Sequence, residues 1–285
     1  MLSISIQTSE CIKPELNPSE TEVMKSFSIL YPAVIAGVLA FSGAPLYAAG
    51  QLPIIPSPQN VSCADDSAFS LTSDVAVVAS DESLQPLADV LAFEIQALTG
   101  LDLQSSTGSD GRRGPLIRLL ISPDLTGEEY RLSVQPEGVT IAGAGPEAVA
   151  RGRASLLQII ETSNGKPQLP CCTVIDQPDT DYRAILIDCA RHEQSVHSLE
   201  QVIELASLYK IRFIQLHLTD DQSFTFPSTE FPQLTETSPW SFTREQLAQL
   251  VEYARIRGVT LIPEIEMPGH IGAFLRGLPE CGQDG

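Results

Sequence analysis

The 285 residues carry 17 Lys and Arg against 36 Asp and Glu, a net charge of −19, with 43% hydrophobic side chains. That balance argues against nucleic acid or an anionic membrane surface as partner, because nothing in it would neutralise phosphates. The length is enough for one sizeable core or two smaller ones.

Residues 1–23 are polar and show no period. Met24-Lys25 then leads into an apolar run, Phe27–Phe41, followed by small residues up to Ala49. A basic start, a short apolar core and a small-residue end describe a secretory signal peptide. The run is shorter than the roughly 20 residues of a spanning helix, and Pro32 and Gly37 interrupt it. Met24–Ala49 is therefore expected to direct export to the periplasm or outside the cell, with no membrane span left after cleavage. The six cysteines, Cys11, Cys63, Cys171, Cys172, Cys189 and Cys281, form no CxxC pair and no zinc spacing. They read as isolated thiols, with an occasional disulfide open to them after export.

Residues 51–178 read as a small α/β domain. Gln51–Ser73 is rich in Pro and Ser and reads as a linker. Val75–Ala79 is a predicted strand. Leu84, Leu87, Leu91, Ile95 and Leu98 mark one face of a helix over Ser83–Leu98, which Gly100 ends. Leu116–Ile121, Tyr130–Val134 and Val139–Ile141 follow as strands. The last two are joined by the turn Gln135-Pro-Glu-Gly138. Pro146 sits where a helix begins, with Val149, Leu156, Leu157 and Ile160 on its buried face. The order predicts a sheet with helices on one side. Gly165–Thr180 reads as a polar connection.

From residue 179 the pattern becomes strand, helix, strand, helix, strand. Arg183–Asp188, Arg212–His217 and Gly258–Glu264 are apolar runs that end in polar groups. The intervening helices are read with capping boxes at Ser198/Gln201 and Thr243/Gln246. Their expected buried faces are Leu199, Val202, Ile203, Ala206 and Tyr209, then Leu247, Leu250, Val251 and Ala254. Such alternation builds a parallel sheet with right-handed crossovers. The fold class expected is α/β: a small α+β domain followed by an incomplete (β/α)8 TIM barrel of about three βα strands. Three strands alone would leave unpaired edges and one uncovered apolar face.

The strand ends supply Asp188, Arg191, His192, His217, Asp220, Asp221, Glu264, Glu266 and His270. In barrels of parallel strands, reactive groups collect at these C-terminal ends. Arg offers a fork of donors suited to hydroxyls or carboxylates, and His beside a carboxylate is held in one tautomer. The mixture suits a polyhydroxylated ligand such as a sugar. Plainer readings stand beside it: Asp188 and Arg191 could pair with each other, and Asp221 could cap a turn. A metal site ranks low because no HxH or HExxH spacing is present, and neither metal nor cofactor is expected.

Three blocks carry a specific resemblance: Asp188-Cys-Ala-Arg-His192, Tyr209–Phe224 with its His217-Leu-Thr-Asp-Asp221, and Pro263-Glu-Ile-Glu-Met-Pro-Gly-His270. Together they resemble family 20 glycoside hydrolases, the β-N-acetylhexosaminidases, over about Tyr182–His270. Phe231-Pro-Gln-Leu234 and Val251–Gly258 fit the segments between, and residues 53–178 resemble the small domain that precedes the family's barrel. The resemblance implies a terminal N-acetylhexosamine of a glycan as substrate. Arg191 would grip its hydroxyls, and Asp220 and His270 would belong to the polar network around the acid. Glu266 would support His270, with Asp188, His217 and Asp221 alongside. It also implies substrate-assisted catalysis, an exception to the two-carboxylate scheme: the 2-acetamido oxygen attacks the anomeric carbon, and an Asp-Glu pair orients it and protonates the leaving oxygen. The sequence departs from the family at Ala184, where Gly is usual, and at Glu266, where Asp is usual. The family's Asp-Glu pair is expected on a fourth strand, beyond Gly285, so the 285 residues alone are expected to be inactive. A non-catalytic carbohydrate-binding remnant is the second reading, and a metal-dependent barrel enzyme the third.

Overall fold

The computed structural model describes residues 52–108, 114–163 and 165–282. The leader and signal peptide expected over residues 1–50 lie outside them.

The first unit is a mixed sheet of eight strands with two helices on one face. Its strands are β1 (Asn60–Ser70), β2 (Ala76–Ala79), β3 (Gln104–Thr107), β4 (Leu116–Ile121), β5 (Tyr130–Gln135), β6 (Gly138–Gly143), β7 (Glu161–Ser163) and β8 (Lys166–Asp176). They run in the order β1-β8-β5-β6-β4-β2-β3, with β7 paired to β8. Helix α1 (Gln85–Thr99) crosses from β2 to β3, and these strands run parallel. Gly100 ends α1 in the left-handed conformation, φ 76°, with its N–H on the Gln96 carbonyl, a geometry that costs glycine nothing. Helix α2 (Pro146–Gln158) starts on Gly145 with Pro146 in its first turn.

Alternation places the core. Tyr130, Leu132 and Val134 of β5 and Ile117 and Leu119 of β4 are buried under the helices, while Arg118 and Arg131 point out of the opposite face. Two segments read as connections are in fact long strands. β1 lies within the Pro- and Ser-rich stretch, and β8 within the polar Gly165–Thr180. Neither shows the apolar run of a buried strand, because β1 is an edge and β8 carries Pro167 ahead of its first buried residue and Pro170 between the buried Leu169 and Cys171.

The second unit begins a barrel. Strands β9 (Ala184–Asp188), β10 (Phe213–His217) and β11 (Thr260–Glu264) are parallel, with β10 in the middle. Helix α3 (Val196–Leu208) joins β9 to β10. A short α4 (Gln233–Glu236) and α5 (Arg244–Ile256) join β10 to β11, and α6 (Gly272–Gly277) follows. Ile185, Ile187, Ile214, Leu216 and Leu261 face the helices. Leu186 of β9 is 55% exposed on the other side. The Thr243/Gln246 capping box forms as read, but α3 is capped one turn earlier than expected, by Ser195, whose side chain accepts from Ser198 N. Tyr209 and Val251, expected in the core, are exposed. Tyr209 is past the last turn of α3, and Val251 lies on the flank of the α5 stripe.

Polar groups dominate the seam between the units. Ala148–Leu157 of α2 are all buried, since the sheet covers one side of this helix and the barrel helices the other. Arg153 donates to Glu94 of α1 at 2.8 Å and to Ser207 of α3 at 2.9 Å, and Ser207 in turn donates to the Arg257 carbonyl. Arg151 bonds Glu128 and the Gly258 carbonyl, and Glu128 also accepts from Arg183 and Arg212. Lys210 has a left-handed backbone, φ 59°, and reaches Asp176 and the Tyr130 hydroxyl.

Gly152 faces the sheet from the middle of α2. A Cβ there would fall 2.4 Å from Ile141 Cγ2 and 3.1 Å from the Tyr130 ring. Gly152→Ala should therefore destabilise by about 1–3 kcal/mol through overpacking, despite alanine's better helix propensity. Urea unfolding checks this: an unchanged or raised midpoint would show that the contact relaxes.

Candidate active site

Each strand of the parallel sheet ends in an ionisable group, and local turns aim these groups at one another. Asp188 closes β9. Its Oδ1 accepts from the backbone N–H groups of Ala190 and Arg191, at 3.0 and 2.9 Å, which curls the chain so that Arg191 Nη1 returns to Asp188 Oδ2 at 2.6 Å. Trp240 braces this turn by donating its indole N–H to the Cys189 carbonyl at 3.0 Å, and Ser223 donates to the Trp240 carbonyl.

His217 closes β10, and a tight loop follows in which Asp220 N donates to the Ser223 carbonyl. Asp220 is 2% exposed and is the hub. Its Oδ2 receives Arg191 Nη2 at 2.6 Å and His217 Nε2 at 3.0 Å. Its Oδ1 receives the Asp221 N–H at 2.6 Å and lies 3.5 Å from His270 Nδ1. The other nitrogen of His217 meets Glu264, the last residue of β11, at 2.8 Å, and Gln215 donates to the same carboxylate.

The charges respond to this arrangement. Burial alone would raise the Asp220 pKa, but the Asp221 N–H, His217, Arg191 and His270 outweigh it and hold the carboxyl below its ordinary value. Asp188 is lowered in the same way, burial being overcome by its bonds with Arg191 and Ala190. Burial pushes His217 down, yet the bonds to Glu264 and Asp220 win and its pKa is raised above 6.5. A raised histidine contributes stability that is complete below its unfolded pKa and is lost as pH rises through the folded value. The melting temperature is therefore expected to fall between pH 6.5 and more alkaline values, and the fall should shrink in His217→Gln. An identical pH profile in that variant would count against the charged bridge.

The remaining strand-tip residues divide. His270 has a left-handed backbone, φ 54°, and a half-exposed side chain over Asp220. Asp221 is a cap: its Oδ1 accepts from Gly272 N at 2.9 Å, and its carbonyl accepts from Arg276. The Glu266 N–H donates to Thr219 Oγ1, and its carboxylate groups with His217 and Glu264. His192 is exposed beside the turn. The sequence reading missed Gln215, Thr219 and Trp240. Trp240, the sole tryptophan of the chain, was the one visible signal.

Two groupings, His217 with Glu264 and Glu266, and Asp220 with Asp221 and His270, bring possible ligand atoms within 4.8 Å of one another. Both nitrogens of His217 are already bonded to carboxylates, and Asp221 already caps α6, so each grouping would first have to give up bonds it makes. A cavity of about 540 Å³ is lined by Phe224, Phe226, Phe231, Leu234, Leu247 and Ile265 among others, and none of the hub residues is among those lining it.

Residues 181–284 match the family model described as glycosyl hydrolase family 20, catalytic domain, and residues 51–177 match that of glycosyl hydrolase family 20, domain 2. A β-hexosaminidase of Porphyromonas gingivalis is 32% identical over 80% of this chain and 32% of its own length. A β-N-acetylhexosaminidase of Cellulomonas fimi is 30% identical over 77% of this chain and 47% of its own. The exo-β-N-acetylglucosaminidase of Vibrio harveyi, solved with N-acetylglucosamine, superposes with a TM-score of 0.72 at 26% identity. That match covers 84% of this chain and 40% of the other. The N-acetyl-β-hexosaminidase of Streptomyces plicatus gives 0.71 at 26%, over 81% and 49%. The chain thus spans about a third to a half of the length of the relatives it matches.

Proposed function

The chain belongs to glycoside hydrolase family 20, and from that premise we propose that it supplies the sugar-gripping rim of a β-N-acetylhexosaminidase acting on terminal N-acetylhexosamines of glycans. The observation that carries the reading is the Arg191 guanidinium, fixed at 2.6 Å to both Asp188 and Asp220 with 43% of its side chain still exposed. A fork already neutralised and oriented by two carboxylates offers its outer N–H groups to hydroxyls at little ordering cost. Asp220 is buried with both oxygens engaged, so its part is to hold Arg191, His217 and His270 in place. Arg191 and His270 are the groups that face the sugar.

The same resemblance assigns the bond-breaking step to the substrate's own acetamido oxygen, with an Asp-Glu pair to orient it and to protonate the leaving group. The sole Asp-Glu dipeptide of the 285 residues, Asp81-Glu82, lies in the small domain, where Asp81 caps a helical turn by accepting from Ser83 N. The three strand ends therefore provide grip rather than acid.

Two assays test the proposal. The 285 residues should bind N-acetylglucosamine weakly without hydrolysing an aryl N-acetyl-β-glucosaminide. Joined to the later barrel strands of the Streptomyces plicatus enzyme, with the family's Asp-Glu pair, they should cleave that compound and spare the matching aryl β-glucoside, which lacks the acetamido nucleophile. Equal cleavage of both compounds would refute the reading.

A further inference from the structure

We propose that Cys63 and Cys172 are a redox pair that closes a disulfide between β1 and β8 in an oxidising medium. The two cysteines are far apart in sequence but direct partners in the antiparallel register of these strands. The neighbouring ladder shows which kind of pair they make. Gln135 stands opposite Gly138 across the two-residue turn of the β5–β6 hairpin, and Ala144 N donates to the Glu129 carbonyl at 3.1 Å. Odd-numbered residues of β5 therefore bond to β6, and even-numbered ones, Val134 among them, turn their N–H and C=O groups to β8. Val134 faces Cys172, so the backbone groups of Cys172 point to β5 and away from β1.

Cys63 and Cys172 are thus a non-hydrogen-bonded pair, the closer of the two kinds, with Cα atoms about 4.5 Å apart. That lies within the roughly 4.4–6.8 Å that a disulfide bridges, and side chains opposite each other share a face of the sheet. Cys63 is exposed on the edge strand, where an oxidant can reach it, and Cys172 is buried behind it; both are free thiols. Cys171 has no cysteine opposite, since it falls where the register shifts between Cys63 and Ala68.

The chemistry balances with a small-molecule disulfide such as oxidised glutathione. The Cys63 thiolate attacks one of its sulfurs and expels a first glutathione thiolate; Cys172 then attacks the mixed disulfide and expels the second. Two electrons pass from the cysteines to glutathione, and the two thiol protons end on the two reduced glutathiones. Burial pushes the Cys172 thiol up to about 12, so the second step is the slower one and quickens in alkali.

The 285-residue chain is treated with oxidised glutathione, alkylated, digested and mass-mapped. The main product is expected to be a peptide pair linked through Cys63 and Cys172, two hydrogens lighter than its parts. It should be lost in Cys63→Ser and retained in Cys171→Ser. The oxidised protein should melt higher than the reduced one, a difference that Cys63→Ser removes. A stable glutathione adduct on Cys63 without a link, or a Cys63–Cys171 link in equal yield, overturns the proposal.

Discussion

Arg191→Ala is expected to lower kcat/KM for an aryl N-acetyl-β-glucosaminide by about 10²-fold or more, since one or two charge-assisted hydrogen bonds to the sugar are lost together. The loss should fall on both parameters, because hydroxyls that must be held while the ring distorts are bound in the ground state and in the transition state. Arg191→Lys should recover little: it keeps the charge and loses the planar fork that meets Asp188 and Asp220 at once. Asp188→Asn leaves the guanidinium its Asp220 anchor, so its effect should be smaller. Steady-state kinetics of the joined enzyme and its three variants provide the check. Unchanged kcat and KM in Arg191→Ala would remove this residue from the sugar site.

Arg153→Met should destabilise the protein by about 3–5 kcal/mol, the scale for stripping one partner from a buried ion pair. Arg153 is fully buried, and its loss leaves Glu94 inside without this cation while also cutting the bond to Ser207. The damage should cross the seam, because Arg153 joins α1 of the sheet domain to α3 of the barrel part. Urea midpoints measure the size, and hydrogen exchange of α3 measures the reach. The double variant Arg153→Met with Glu94→Gln should recover part of the loss, since the buried charge that faced Arg153 is then gone as well. If the single variant loses less than 1 kcal/mol, water or another side chain satisfies Glu94 after the change.

Much of this fold was legible in the sequence, because its strongest signals are local. The apolar runs ending at Asp188, His217 and Glu264 predicted three parallel strands, and the Thr243/Gln246 capping box and the stop at Gly100 appear as read. The candidate site was legible as a set of residues, since strand ends of parallel sheets converge. Its wiring was not. Nothing in the spacing shows that Asp220 is bonded by Arg191, His217 and its own neighbour's N–H at once, or that the Glu266 carboxylate groups with His217 and Glu264. Strands β1 and β8 were hidden because an edge strand need not alternate and prolines interrupt the other. Arg151 and Arg153 look like the wet face of an amphipathic helix, and only tertiary packing makes them buried.

Chains leave the ribosome N-terminus first, and domains fold as units as they emerge. The sheet domain, which ends with β8, can therefore be complete while the barrel segments are still being made. At that stage Arg151 and Arg153 stand on α2 without Gly258 or Ser207, and Asp176 stands without Lys210. Each later segment brings a group matched to one of these positions or to Glu128 beside them: Arg183 ahead of β9 for Glu128, Ser207 in the last turn of α3 for Arg153, Lys210 just past it for Asp176, then the Gly258 carbonyl ahead of β11 for Arg151. Correct helix register is rewarded turn by turn, and a slipped helix would strand a charge. In the folded chain the small domain thus offers each of the first barrel segments a charged or polar partner to dock against.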